Sequence, residues 1–215
     1  MISVVYSTRE DNQKHIDHIK NTSGIHKGLE VKQYINNGEY SLTELYNKAL
    51  KETTNNIVVF CHDDIIFDTK NWGKKLLKVM EKNPEYGVVG IAGSRELPSS
   101  AKWWENPNHM YGQVYHQKDG NRWLSKYSPK KPLFLDNVVV VDGLFFAVNK
   151  DIIKETFDES VEGFHFYDVD FSFRNYIAGV KVGVTSDIDV THLSIGETNQ
   201  QWEENRKLFA EKYKD

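Results

Sequence analysis

The run Ile57-Val58-Val59-Phe60-Cys61 leads without interruption into His62-Asp63-Asp64. An apolar stretch this short and this rich in β-branched residues, bounded by polar sequence, reads as a strand buried on both faces, which a layered α/β sheet provides. Its carboxyl end carries the acids. Ligands of open α/β sheets bind where strands finish, and carboxylates clustered there repel one another unless a cation, a proton or a donor group offsets them. The combination points to a metal site facing a phosphate-bearing ligand.

The flanking sequence supplies the rest of such a sheet. Ile2 to Tyr6 is a first strand, Asn12 to Asn21 a helix and Val31 to Ile35 a weaker strand. Ser41 and Glu44 form a capping box, Tyr40 and Leu45 a hydrophobic staple, and Leu42, Leu45, Tyr46, Ala49 and Leu50 one face of a helix over 42–52. After the acidic strand end, Trp72, Leu76, Val79 and Met80 mark a helix halted by Asn83-Pro84, and Gly87 to Ala92 is the next strand. This β-α-β-α-β order predicts parallel strands joined by right-handed crossovers. Residues 93–136 break the pattern: they hold four of the five Pro and three of the five Trp, which suits loops and hairpins beside a cleft. Order resumes with a buried strand at Val138 to Asp142, then Gly143 and the apolar stretch Leu144 to Val148. A helix from Tyr167-Asp168 turns Val169, Phe173 and Ile177 inward and stops at Gly179. Strands at Val180 to Val184 and Ile188 to His192 precede a last helix containing Trp202, Leu208, Phe209 and Tyr213. The expected architecture is a single α/β domain over 1–215, with a mostly parallel central sheet and helices on both faces.

Composition removes several classes of function. Lys plus Arg is 27 against 31 for Asp plus Glu, a net charge of -4, so the basic field that holds nucleic acid is missing. Cys61 is the single cysteine; it excludes an intramolecular disulfide and reads as a small buried hydrophobe. No stretch approaches the ~20 apolar residues of a membrane span and no basic leader opens the chain, so a soluble cytoplasmic protein without a transmembrane segment is expected. Neither G-x-x-x-x-G-K-[ST] nor G-x-G-x-x-G occurs, which disfavours a P-loop enzyme and a dinucleotide dehydrogenase.

Several side chains have types suited to a site for a metal and a phosphate-bearing ligand. Residues two apart on an extended strand point the same way, roughly 6.5 Å apart, so His62 and Asp64 can address one ligand while Asp63 turns aside. Asp64 is the first choice as metal ligand, with Mg or Mn the matching hard cations; the lesser alternative is that the acids begin a loop, with Asp63 or Asp64 capping the following turn. His62 can hydrogen-bond a ribose or phosphate, or ligate a softer cation through neutral imidazole. Asp142-Gly143 ends another strand, where glycine permits close backbone approach by a ligand or makes a simple turn. Trp103 and Trp104 lie in the irregular stretch; one is expected in the core and the other in contact with a ligand.

The opening strand ISVVYST, the NKAL helix, CHDDI, VDGLFFAVNK, GFHFYDVDFSFR and THLSIG occur in an order that resembles the GT-A-fold glycosyltransferases of family 2 and their glycosyltransferase-like relatives. Each piece alone is common; together they cover nearly the whole length. The resemblance implies metal-dependent transfer of a sugar from a nucleotide-diphosphate sugar to an acceptor hydroxyl, with inversion, in glycan or polysaccharide synthesis. It places His62-Asp63-Asp64 where the family carries Asp-x-Asp, with His62 in place of the first aspartate and Asp63 among the nucleotide contacts. It makes Asp168 the general base at the head of its helix, where aspartate is also a good N-cap, and Tyr167 stands where glutamate is commoner. It assigns His192 a third contact to metal or pyrophosphate and Ser7, Thr8 and Arg9 to the nucleotide. Residues 1–92 then form a nucleotide-binding half, 93–136 an acceptor-side insertion and 137–215 the acceptor and catalytic half. A glycan or lipid-linked acceptor is implied, the latter through transient contact with a membrane surface.

Two other classes fit parts of the same sequence. A metal-dependent phosphohydrolase would cage its ions with histidines on helices, whereas His15, His18 and His26 lie in a polar segment read as solvated. A sugar- or nucleotide-binding module without catalysis would keep the same residues and lack turnover.

Overall fold

A computed structural model describes residues 1–127, 135–196 and 198–214. The elements in chain order are β1 (Ile2–Thr8), α1 (Gln13–Ser23), β2 (Leu29–Ile35), α2 (Leu42–Glu52), β3 (Ile57–Cys61), β4 (Ile65–Phe67), α3 (Trp72–Lys82), β5 (Tyr86–Gly90) and β6 (Ala92–Ser94). There follow β7 (Met110–Lys118), β8 (Asn121–Lys126), β9 (Asp136–Val138), β10 (Val140–Val141), β11 (Phe145–Asn149), α4 (Tyr167–Ile177), β12 (Lys181–Val184), β13 (Val190–His192) and α5 (Gln200–Lys212).

Among the described residues seven strands pair in the order β2-β1-β3-β11-β5-β12-β9, and a second sheet runs β10-β6-β7-β13-β4 with β8 paired to β7. Strands β2, β1, β3, β5 and β12 share one direction; β11 and β9 oppose it. The large sheet is therefore mixed, and β3 and β5 are not neighbours. The cause is the turn at Asp142-Gly143, too short for a helical crossover, which sends β11 back antiparallel between them. Val138 to Asp142, expected as one strand, splits at Val139: β9 pairs with β12, and β10 with β6 in the other sheet.

The two-residue period of a strand sorts the core. Val4, Val59, Cys61, Phe145 and Ala147 face Ile19 of α1 and the α3 stripe Trp72, Leu76, Val79 and Met80. Val5, Val58, Phe60, Phe146 and Val148 face Leu42, Leu45, Tyr46 and Ala49 of α2 and Phe171 of α4. Helices thus cover both faces, and the apolar run of β3 is needed on both sides. Cys61 is fully buried, and burial pushes its thiol above the usual range. The Ser41 backbone N–H donates to Glu44 at 2.8 Å, completing the cap of α2.

Three local expectations change. Ile177 is 56% exposed, because residues spaced by four drift about 40° per step around a helix of 3.6 residues per turn and the third member leaves the face set by Val169. Tyr40, expected to staple onto Leu45, is largely exposed. His15 is buried edge-on against Tyr6, and His18 accepts the Phe67 backbone N–H at 2.8 Å, so this segment is half core rather than solvated. The expected insertion at 93–136 holds the hairpin of β7 and β8; its residues 128–134 lie outside the described residues.

Candidate active site

Strand β3 ends at Cys61, and the His62 backbone N–H still donates to the Leu144 carbonyl at 3.1 Å, carrying the register with β11 one residue further. His62, Asp63 and Asp64 form the turn into β4, so the extended spacing expected for them does not hold. The turn brings His62 and Asp64 closer than a strand would: His62 Nδ1 lies 3.9 Å from Asp64 Oδ1. His192, the last residue of β13, reaches the same point. It is placed there by pairing between β13 and β4, with His192 opposite Ile65, and by the Leu193 N–H donating to the Asp64 carbonyl at 2.9 Å. Its Nε2 is 3.2 Å from Asp64 Oδ1 and 3.3 Å from His62 Nδ1. Ligand atoms of the three residues lie within 4.8 Å of one another.

Hydrogen bonds fix the histidine that faces this point. Tyr167 donates its one hydroxyl proton to the Gly143 carbonyl at 3.0 Å, so its oxygen accepts from His62 Nε2 at 3.3 Å. His62 Nδ1 is then left with its lone pair toward Asp64 and His192, the orientation a metal-ligating imidazole takes. Burial and then the neighbouring His192 hold His62 below its ordinary pKa, keeping it neutral. Burial lowers His192 too, but its hydrogen bond to Asp64 and the charges of Asp64 and Asp142 outweigh this and leave it raised. Burial would raise Asp64; bonds from His192 and Ser194 and the histidine charges outweigh it and leave the carboxyl well below the usual range. Two imidazoles and one carboxylate can hold a divalent cation, and this mixed donor set suits Mn better than Mg, which prefers oxygen alone.

Asp168 lines the same cavity from the first turn of α4. Phe166, in the left-handed conformation at φ 70°, occupies the cap position, so Asp168 is not the N-cap. Its Oδ2 accepts the Gly143 N–H at 2.6 Å, and one side remains open to the cavity. Burial and then the charge of Asp142 push its carboxyl up to about 7, against backbone N–H groups that favour the anion. Gly143 is required for a reason other than ligand approach: a Cβ there would lie 2.3 Å from the Tyr167 hydroxyl and 3.0 Å from Asp168 Cβ. Asp142 closes the turn by accepting the Leu144 N–H at 2.9 Å.

All of these groups line one cavity of about 1420 Å³. Ser7, Thr8 and Arg9, at the end of β1, line it as well, beside Asn36, which ties the 36–40 turn through its side chain. Trp103 is the core member of its pair at 4% exposed, and Trp104 the surface member at 40%. Both border the cavity. Tyr167 as a brace for His62 and His116 beside His192 were not anticipated. His116 lies opposite His192 in the β7–β13 pairing, with ring centroids 5.9 Å apart, and stacks on Trp123. No local pattern signals that relation, because it is created by pairing of strands distant in sequence.

Comparison with known proteins bears on the family and the fold. The glycosyltransferase-like family matches residues 3–213. Among solved structures, GalNAc-T7 crystallised with UDP, GalNAc and Mn²⁺ superposes with a TM-score of 0.59 at 10% identity, over 98% of this chain and 47% of that one. The mannosyltransferase PcManGT from Pyrobaculum calidifontis, crystallised with GDP-Man and Mn²⁺, gives a TM-score of 0.57 at 13% identity, over 100% of this chain and 64% of that one. The chain thus spans about half of the first protein and under two thirds of the second, and the likeness establishes the shared GT-A fold. No curated protein sequence matches. Among the described residues no helix is long and apolar enough to cross a membrane. On the match to almost its whole length, carried by the fold that the sequence implied, this chain belongs to the glycosyltransferase-like family.

Proposed function

We propose that the protein transfers a sugar from a nucleotide-diphosphate sugar to an acceptor hydroxyl with inversion, using Mn²⁺ or a similar divalent cation held by His62, Asp64 and His192. The observation that carries this reading is the convergence of a His-Asp-His cluster and a carboxyl of raised proton affinity on one cavity. A volume of about 1420 Å³ exceeds the ~300–1,000 Å³ of pockets that hold one drug-sized ligand, which leaves room for two substrates. A cation bound at the cluster supplies Lewis-acid stabilisation of the departing diphosphate.

The chain's own residues carry the remaining steps. Ser7, Thr8 and Arg9 at the end of β1 and Asp63 in the turn between β3 and β4 bind the nucleotide, and Arg9 offsets phosphate charge. Asp142 and the Gly143 turn orient the sugar. Asp168 accepts the proton of the attacking hydroxyl as the new bond forms between that oxygen and the anomeric carbon, while the bond from that carbon to the diphosphate oxygen breaks. A carboxyl poised near 7 is suited to this role, since part of it is ionised at neutral pH and it still holds a proton firmly once received.

The test is a thermal-shift panel of UDP, GDP, ADP, CDP and TDP with and without Mn²⁺, since a ligand bound only to the native state raises the melting temperature by mass action. The expected result is a Mn²⁺-dependent shift for one nucleotide. If none stabilises the protein with Mn²⁺ present, the donor-site reading fails.

A further inference from the structure

A second, smaller groove continues from the large cavity and shares Trp104, Thr198 and Trp202 with it; Lys102, Asn199 and Glu203 complete its lining. Its volume is about 250 Å³, below the ~300–1,000 Å³ of drug-sized sites, so it has room for a single sugar ring and none for a nucleotide. One wall is an aromatic face held rigidly. Trp104 meets the buried Trp103 edge-on at 5.7 Å and leans on Trp202 at 5.5 Å, which leaves the rest of its indole in the open. The other wall is the start of α5. There Asn199 Oδ1 accepts the Trp202 N–H at 2.9 Å, leaving its NH₂ group as a donor. Glu203 is gripped by Arg206 at 2.6 and 2.8 Å, and Arg206 also donates to the Ser100 carbonyl at 2.7 Å, tying the two walls together.

A fixed aromatic plane flanked by a cation, an amide and a carboxylate is the chemistry that recognises a pyranose. The plane meets the C–H face of the ring, and the polar groups meet its hydroxyls. The groove also lies on the acceptor side. Phe166, two residues before Asp168, packs on Trp202 at 5.5 Å, whereas the nucleotide-facing ends of β1 and β2 lie across β3.

We infer that the groove is a subsite for the second sugar of the acceptor, so that the acceptor is a glycan of at least two units. The unit beside Asp168 reacts, and the next stacks on Trp104. This rests on the sugar-transfer reading above for the direction of the chain, while occupancy of the groove is measurable without donor or metal.

The experiment is calorimetric titration of the protein, free of nucleotide, with mono-, di- and trisaccharides of glucose, galactose, mannose and N-acetylglucosamine in α and β linkage. In at least one series the disaccharide should bind ~10-fold more tightly than its monosaccharide, the scale of one aromatic stacking contact. Trp104→Ala should remove that gain, Trp104→Phe should keep most of it, and Leu208→Ala on the exposed side of α5 should leave it intact. The inference is overturned if no series gains with length, or if the gain survives Trp104→Ala. Failure of the donor reading shows separately, as a missing Mn²⁺-dependent nucleotide shift in the wild-type protein.

Discussion

Replacing Asp168 by Asn separates activity from stability in opposite directions. Asparagine retains an oxygen to accept the Gly143 N–H, so the turn it holds is preserved, but it takes no proton. With a carboxyl at about 7, wild-type turnover should rise with pH and level off above 8, standing near one tenth of its plateau at pH ~6. Asp168→Asn should lower the plateau by ~100-fold, about 2.7 kcal/mol of barrier, and abolish that rise. The folded protein should gain what the enzyme loses. Well below pH ~4 the carboxyl is protonated in both folded and unfolded chains and makes no difference. Between ~4 and 7 the unfolded chain ionises while the native one resists, so native stability falls, and the loss is complete above ~7. The displacement from 3.8 to about 7 sets an upper bound of ~4 kcal/mol, and the side open to the cavity reduces this to on the order of 2 kcal/mol. Asp168→Asn should therefore melt ~4–8 °C higher than wild type at pH 8 and within ~2 °C of it at pH 4. The assays are Mn²⁺-dependent release of nucleoside diphosphate across pH 5.5–8.5 and thermal melts at both pH values. A variant that keeps the wild-type pH profile, or that is no more stable at pH 8, would refute the reasoning.

Asp64→Ala should abolish Mn²⁺-dependent nucleotide binding, read by calorimetry, because it removes the one carboxylate between two imidazoles; retained affinity would exclude Asp64 as a ligand. Tyr167→Phe removes the hydroxyl that orients His62, and a 10–100-fold loss of Mn²⁺ affinity at unchanged melting temperature is expected, whereas loss of fold alone would argue for packing. Trp72→Ala opens a hole at a fully buried indole stacked 4.1 Å from Phe67, and should cost about 3–5 kcal/mol in denaturant unfolding.

The buried acidic strand, the capped helix over 42–52, the α3 stripe and the order of the α/β units were legible in the chain because each depends on spacing within a few residues. The apolar run of β3 demanded cover on both faces, and His62, Asp64, Asp168 and His192 could each be proposed because they sit at strand or helix ends. Tertiary pairing decided the rest. Whether β11 enters antiparallel, whether Val139 hands the chain from one sheet to the other and which tryptophan of the pair is buried depend on contacts between segments far apart. So do the distances that make a site: His192 reaches Asp64 only because β13 aligns with β4, Tyr167 orients His62 only because Gly143 has no side chain, and Asp168 holds its proton only because the fold surrounds it. Local periodicity fixes which residues can share a face; long-range register fixes which of them meet.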